Sequence, residues 1–159
     1  MIHFLLRTKG FIPKEFHQTF NDIDFLKLYQ EGYRLLLTDL DNTLISYEED
    51  SATAEIAEKI KALKLIGFEV AIISNNHKKR IDKFIANLDI KGYASSWKPL
   101  VCGVKKAVKN SSKEYLKSEI VIIGDQVMTD VWAANRFGVY SILVNPIKRK
   151  TEKWYTKAN

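Results

Sequence analysis

The chain has 159 residues, 46% of them apolar and 28% charged, with a formal net charge of +6. That size suits one domain, 1–159, with a well-buried core. No run of ~18 apolar residues predicts a membrane-crossing helix, and Met1–Arg7 reaches a charge too early for a secretion signal, so a cytoplasmic protein is expected. Cys102 is the sole cysteine. It excludes an internal disulfide and a cysteine-rich zinc site, and is expected as a small buried or half-buried helix residue.

Residues 1–32 form an apolar, aromatic extension containing Phe4, Leu5, Leu6, Phe11, Phe16, Phe20, Ile23, Phe25, Leu26 and Leu28. Two readings stand: packing on the sheet edge or an outer helix, or an interfacial element that touches lipid. Leu35–Thr38 then reads as a strand, and Ala52–Ile66 as a helix with Ile56, Ile60 and Leu63 on one stripe and Gly67 at its stop. Glu69–Ser74 is a buried-type strand, and His77–Leu88 a helix with Ile81, Phe84, Ile85 and Leu88 inward. A short strand near Gly92–Ser95 and a helix from Leu100 to Lys109 follow. Glu119–Ile123 is a strand, Thr129–Phe137 a helix, and Tyr140–Val144 the last strand. Strands alternating with helices predict a three-layer Rossmann-like α/β fold with a five-stranded, mainly parallel sheet. The tail, 145–159, sets Lys148, Arg149, Lys150, Lys153 and Lys157 against Glu152 and interleaves Trp154 and Tyr155. It is either a solvated terminus or a contact for an anionic membrane surface.

Ligands of parallel sheets bind at the carboxyl ends of the strands. Asp39 and Asp41 follow the first strand, Ser74-Asn75-Asn76 the second, Lys98-Pro99 the third and Gly124-Asp125 the fourth. Each alone has an ordinary reading: a turn, a helix cap, a solvated lysine. Their convergence on one edge points to phosphate and a hard metal. Alternation of side chains would put Asp39 and Asp41 on the same side, where two carboxylates need a cation between them. Asp39 is the candidate nucleophile, accepting a phosphoryl group as an aspartyl-phosphate. Asp41 is the candidate general acid and base, protonating the leaving alkoxide and then activating water. Asp125 completes a magnesium site with Asp39 and Asp41, and Asp130 is an outer ligand or an anchor for metal-bound water. Thr43, Ser74, Asn75 and Lys98 are the phosphate-binding candidates, the lysine as a point charge against charge building on the phosphoryl oxygens. His3, His17 and His77 have no metal-ligand spacing, and His77 reads as a solvated helix-start residue. Trp97 reads equally as a wall of the site's mouth or as core, and Trp132 as core.

Asp39-Leu40-Asp41-Asn42-Thr43, Ser74-Asn75, Lys98-Pro99 and Gly124-Asp125-Gln126-Val127-Met128-Thr129-Asp130 resemble, in order and spacing, the four motifs of the haloacid dehalogenase (HAD) superfamily. The likeness spans Tyr33 to Val144. It is similar in detail to subfamily IIIA, and within it to the YqeG-type, phosphatidylglycerophosphate-phosphatase-like group. The resemblance implies a Rossmann-like sheet, Mg²⁺ dependence, the two aspartate roles above, and phosphatidylglycerophosphate as substrate.

Between Asp41 and Ser74 lie 32 residues, and between Ser74 and Lys98 another 23. Each gap holds a helix and a strand or loop but no cap domain. A capless site favours a phosphate displayed on something large, here a membrane lipid, with peripheral contact to an anionic membrane. Two alternatives remain at this stage. One is the same chemistry on a phosphoprotein, a nucleic-acid end or a soluble metabolite. The other is an RNA- or ribosome-associated protein with a vestigial site. No obligate nucleic acid and no zinc are expected.

Overall fold

The computed structural model describes residues 9–147. Its organisation starts from β2 (Leu35–Thr38), four residues that are all wholly buried. Leu36 joins Val70, Ile72, Val121 and Ile123 in one apolar cluster, while Leu35 and Leu37 join Ala71, Ile73, Ile120 and Ile122 in another. Side chains alternate across a strand, so a run apolar at every position must be covered on both faces, the condition of a parallel sheet.

Among the described residues the sheet has six strands, all pairs parallel, in the order β1-β6-β5-β2-β3-β4. The other five are β1 (Glu15–His17), β3 (Glu69–Ile73), β4 (Lys91–Tyr93), β5 (Ile120–Gly124) and β6 (Tyr140–Val144). Helices α1 (Phe25–Gln30), α2 (Ala54–Ile66) and α3 (Lys78–Ile85) supply Phe25, Leu28, Ile56, Ile60, Leu63, Ile81 and Phe84 to the first cluster. On the other face, α4 (Cys102–Lys109) and α5 (Trp132–Phe137) supply Val104, Ala107, Ala133 and Ala134. The result is a three-layer α/β fold. Truncating a core side chain such as Leu36 to Ala would cost about 2–5 kcal/mol.

The expected five strands become six. Glu15–His17 has no apolar run, so pattern alone does not disclose it. It forms because Glu15, Phe16 and His17 pair with Ile142, Leu143 and Val144, with Lys14 N–H donating to the Ser141 carbonyl at 3.0 Å. The part of the N-terminal extension within 9–32 thus belongs to the domain: Phe20, Ile23, Phe25 and Leu28 are core, while Phe16 and Leu26 are exposed. The expected helix Thr129–Phe137 is regular only as α5. It is preceded by Val127–Val131, a wide turn in which Val131 N–H reaches back five residues to the Gln126 carbonyl at 3.3 Å.

Helix α2 starts and stops as its ends dictate. The Thr53 hydroxyl accepts from Ile56 N–H at 3.2 Å, and Gly67, with φ 122°, takes a turn that other residues resist. Cys102 is exposed, not buried. In the first turn of α4 its Sγ lies 3.9 Å from the Ser96 carbonyl, and Gly103 makes the closer approach, where an added Cβ would meet that carbonyl at 2.4 Å. Trp132 is half-buried, its ring 4.9 Å from that of Phe11. The calls on Phe4, Leu5, Leu6, His3 and the basic residues from Lys148 onward lie outside the described residues.

Strands β2, β3 and β4 run outward in one direction, whereas β5 returns to the other side of β2. That reversal leaves a crevice between the carboxyl ends of β2 and β5, the place where open parallel sheets bind ligands. Asp39 and Asp125 stand on its two sides. Neither gap between the motifs holds a cap: α2 and β3 fill the first, α3 and β4 the second.

Candidate active site

Asp39 leaves the end of β2 with its N–H donating to the Ile123 carbonyl at 2.8 Å, so the sheet ladder fixes its backbone. Asp125 follows Gly124, the last residue of β5. Asp130 lies in the wide turn after it and is 1% exposed. Gly124 allows this packing: a Cβ there would lie 2.2 Å from the Asp130 carboxyl carbon. Carboxylate oxygens of Asp39, Asp125 and Asp130 lie within 4.8 Å of one another.

Lys98 extends into this group from the loop after β4 and is buried. Its Nζ donates to Asp39 Oδ1 at 2.9 Å, to Asp130 Oδ1 at 2.6 Å and to the Ile73 carbonyl at 2.9 Å. Asn75 brackets its backbone, with Nδ2 donating to the Lys98 carbonyl at 2.8 Å and Oδ1 accepting from Lys98 N–H at 2.7 Å. The supporting loop is strained: Ser95 and Trp97 take φ of 47° and 57°, a region costing non-glycine residues about 1 kcal/mol or more each. The Lys98–Pro99 peptide is cis.

The charges do not balance inside the protein. Burial pushes the Asp39 carboxyl up; Lys98 draws it down, and Asp130 and Asp125 raise it again, leaving it at about 7. Burial and the neighbouring Asp130 also raise Asp125. Burial pulls Lys98 down, but Asp130 and Asp39 outweigh it and hold the ammonium above its usual range. One ammonium against three carboxylates is the donor chemistry of a hard divalent cation, so these residues fit Mg²⁺.

The residues expected from sequence thus meet at one edge, with some in different places. Asp41 is not in the carboxylate group. The strand ends at Thr38, so alternation does not carry the pair, and Asp41 sits in a turn closed by Asn42 at φ 62° and Asn42 N–H to the Ile45 carbonyl at 2.7 Å. Its Oδ2 accepts from Asn76 Nδ2 at 3.1 Å, and its Oδ1 from Arg80 Nη2 at 2.7 Å and Nε at 3.0 Å. Asp130, expected in the outer role, is one of the three clustered carboxylates. Thr43 lies beneath them, 3.2 Å from Asp125 Oδ1 and 3.5 Å from Asp39 Oδ2. Ser74 is buried on the cleft wall, its Oγ accepting from Asn76 N–H at 3.1 Å. Asn75 spends its side chain on Lys98. His77 is an exposed residue just before α3, as expected. Sequence reasoning missed Arg80: in the run Lys78-Lys79-Arg80 it reads as a solvated helix face, and only its place on the stripe with Phe84 marks it as inward.

Above these groups opens a cleft of about 590 Å³, walled by Asp41, Ser46, Tyr47, Asn75, Gln126 and Thr129 among others. Tyr47, Trp97, Leu100 and Met128, on the three loops that leave β2, β4 and β5, are all more than half exposed. The exposure of Trp97 rules out its core reading, and Trp97 is not among the residues that wall the cleft, although its neighbour Lys98 is.

Comparison with known proteins shows the family. The family model described as mitochondrial PGP phosphatase matches residues 1–148. A Bacillus subtilis protein called "Probable phosphatase YqeG" is 37% identical over 139 residues, covering 87% of this chain and 80% of that one. A crystal structure of an uncharacterized Listeria monocytogenes serotype 4b protein superposes with a TM-score of 0.56 at 19% identity, over 74% of this chain and 84% of that one, a likeness of fold. The chain therefore belongs to the PGP phosphatase family, as a HAD-superfamily phosphatase of subfamily IIIA and the YqeG type.

Proposed function

We propose that the protein is a Mg²⁺-dependent phosphomonoesterase that works through an aspartyl-phosphate at Asp39 and hydrolyses phosphatidylglycerophosphate to phosphatidylglycerol. The observation that carries the chemistry is the meeting of Asp39, Lys98, Asp125 and Asp130 at the crevice between β2 and β5. Mg²⁺ held by Asp39, Asp125 and Asp130 would supply positive charge to the phosphoryl oxygens, letting an anionic nucleophile approach an anionic ester.

The chain's residues do the rest. An Asp39 oxygen forms a bond to phosphorus as the bond to the alcohol oxygen breaks, and the departing oxygen takes a proton from Asp41. Water then attacks phosphorus, gives its proton to Asp41, and the bond to Asp39 breaks to release inorganic phosphate. The Lys98 ammonium, fixed by Asp130 and the Ile73 carbonyl, offsets charge on Asp39 and on the transferring group without reorganising. Ser74 offers its hydroxyl proton from the cleft wall.

The lack of a cap among the described residues and the exposed apolar side chains support the substrate class. A cleft without a cap suits a phosphate carried on a large body, and Tyr47 on its wall, with Trp97, Leu100 and Met128 exposed on loops that leave the same sheet, suits the boundary between acyl chains and headgroups. No helix among the described residues is long and apolar enough to cross a membrane, so contact with lipid would be peripheral. The test compares phosphate release from vesicles containing phosphatidylglycerophosphate with release from glycerol 3-phosphate and p-nitrophenyl phosphate. Turnover with Mg²⁺, lost in EDTA and fastest on vesicles, is expected. Faster turnover of a soluble ester would assign a soluble substrate, and none on any ester would refute the enzymatic reading.

A further inference from the structure

Besides Lys98, Arg80 is the only buried basic side chain among the described residues, and no step above uses it. It projects from the first turn of α3, and one guanidinium makes two sets of contacts. Nη2 and Nε donate to Asp41 Oδ1 at 2.7 and 3.0 Å. Nη1 donates to the Glu49 carbonyl and lies 3.4 Å from Asp50 Oδ1, while Nη2 also lies 3.4 Å from the Ser46 carbonyl. The Tyr47 ring covers it at 5.7 Å. The 46–50 turn it holds is folded on itself, with Ser46 N–H on Glu49 Oε2 at 2.9 Å and Glu49 N–H on the Ser46 carbonyl at 3.0 Å. Ser46, Tyr47 and Glu48 of that turn form one wall of the cleft.

The second oxygen of Asp41 is held separately. Asn76 Nδ2 donates to Oδ2 at 3.1 Å, and the amide's orientation is set because its Oδ1 accepts from His77 N–H at 2.8 Å. A guanidinium that fills Oδ1 leaves Oδ2 as the oxygen able to carry a transferable proton.

We infer that Arg80 and Asn76 are positioning residues for the phosphoryl transfer. Arg80 locks Asp41 and the 46–50 wall into one arrangement, and together they present Asp41 Oδ2 to the oxygen of the leaving group. With no cap among the described residues, this clamp holds the acid in place beside the bound ester. The inference rests on the reading of Asp41 as the general acid.

The leaving group separates a positioning role from a structural one. p-Nitrophenolate departs without a proton, whereas phenolate, a poorer leaving group, needs one. The measured quantity is kcat/KM, which extends only to the first irreversible step, transfer to Asp39. With Mg²⁺, Arg80→Met is expected to lose about 100-fold on phenyl phosphate and less than about 10-fold on p-nitrophenyl phosphate, the size of lost proton transfer. Arg80→Lys keeps the charge but cannot bridge the carboxylate and two carbonyls, so its loss should be intermediate with the same bias. Asn76→Ala tests the clamp from the other oxygen in a chain whose buried ion pair is intact, and should show the bias more weakly. Equal losses on the two esters across these variants, or none, would overturn the inference while leaving the phosphatase reading standing. A wild-type protein inactive on both esters would overturn that reading and the inference with it.

Discussion

Lys98→Met removes the ammonium while nearly preserving the shape of the stem, and its cost can be worked from the geometry. Nζ serves Asp39, Asp130 and the Ile73 carbonyl at 2.6 to 2.9 Å, with no solvent to replace it. Breaking a buried pair by deleting one partner costs about 3–5 kcal/mol, because the stranded charge stays buried. Here two carboxylates are stranded beside a third. They respond by binding protons, so the penalty depends on pH. Wild-type Asp39 already sits at about 7, raised by burial, and losing Lys98 raises it further. A carboxyl held above its unfolded value loses stability as pH rises, so the variant should suffer most above pH 7 and least near pH 5. In EDTA at pH 8, with a urea slope of about 2 kcal/mol per molar, the unfolding midpoint should fall by about 2 M. At pH 5 the drop should be less than half of that. Adding Asp130→Asn should recover part of the loss at pH 8. A midpoint unchanged at pH 8, or reduced equally at pH 5 and pH 8, would refute the electrostatic account of this cluster.

Three further outcomes follow from the same geometry. Mg²⁺ should raise the melting temperature by several degrees at pH 8, since ligand at 100 times its Kd contributes about 2.7 kcal/mol, and by much less at pH 5, where protons compete for the carboxylates; equal shifts at both values would count against a carboxylate site. Gly124→Ala should abolish phosphatase activity and destabilise the fold by more than about 2 kcal/mol, because its Cβ would fall 2.2 Å from the Asp130 carboxyl; normal kcat and melting temperature would show that Asp130 can shift without consequence. Replacing Trp97 and Met128 by Ser should lower turnover on lipid vesicles several-fold and leave p-nitrophenyl phosphate hydrolysis unchanged, which a vesicle-sedimentation assay can relate to binding; equal effects on both substrates would refute a role for these side chains at the lipid surface.

Much of the site was legible because its chemistry sits where strands end. Asp39, Ser74 and Asp125 each follow an apolar run, Lys98 lies in the loop past the short strand β4, and a parallel sheet brings such ends to one edge whatever the packing of the helices. What sequence could not supply was the third dimension of each side chain. The alternation rule grouped Asp41 with Asp39, yet the chain turns at Asn42 and Asp41's charge is met by Arg80. Asp130 is expected as an outer ligand or an anchor for metal-bound water, and a wide turn and a glycine with no Cβ bring it against Lys98 and into the carboxylate group. The motifs suggest Asn75 and Thr43 as phosphate contacts, whereas their side chains are engaged by the Lys98 backbone and by the carboxylates. Arg80 was hidden in a basic run, because burial of a guanidinium depends on a carboxylate 39 positions away. Strand β1 was missed for a related reason: three residues without apolar pattern pair only because β6 presents an open edge.

The most direct test of the central claim is a search for the phosphoryl group on Asp39. Asp41→Asn lacks the base that activates water but can still transfer phosphate from p-nitrophenyl phosphate, whose leaving group needs no proton. Acid-quenched during reaction with Mg²⁺, this variant should carry one phosphoryl group on the peptide containing Asp39, and Asp39→Asn should carry none and release no phosphate. Continued phosphate release with that peptide unmodified, or near-normal turnover by Asp39→Asn, would contradict the account.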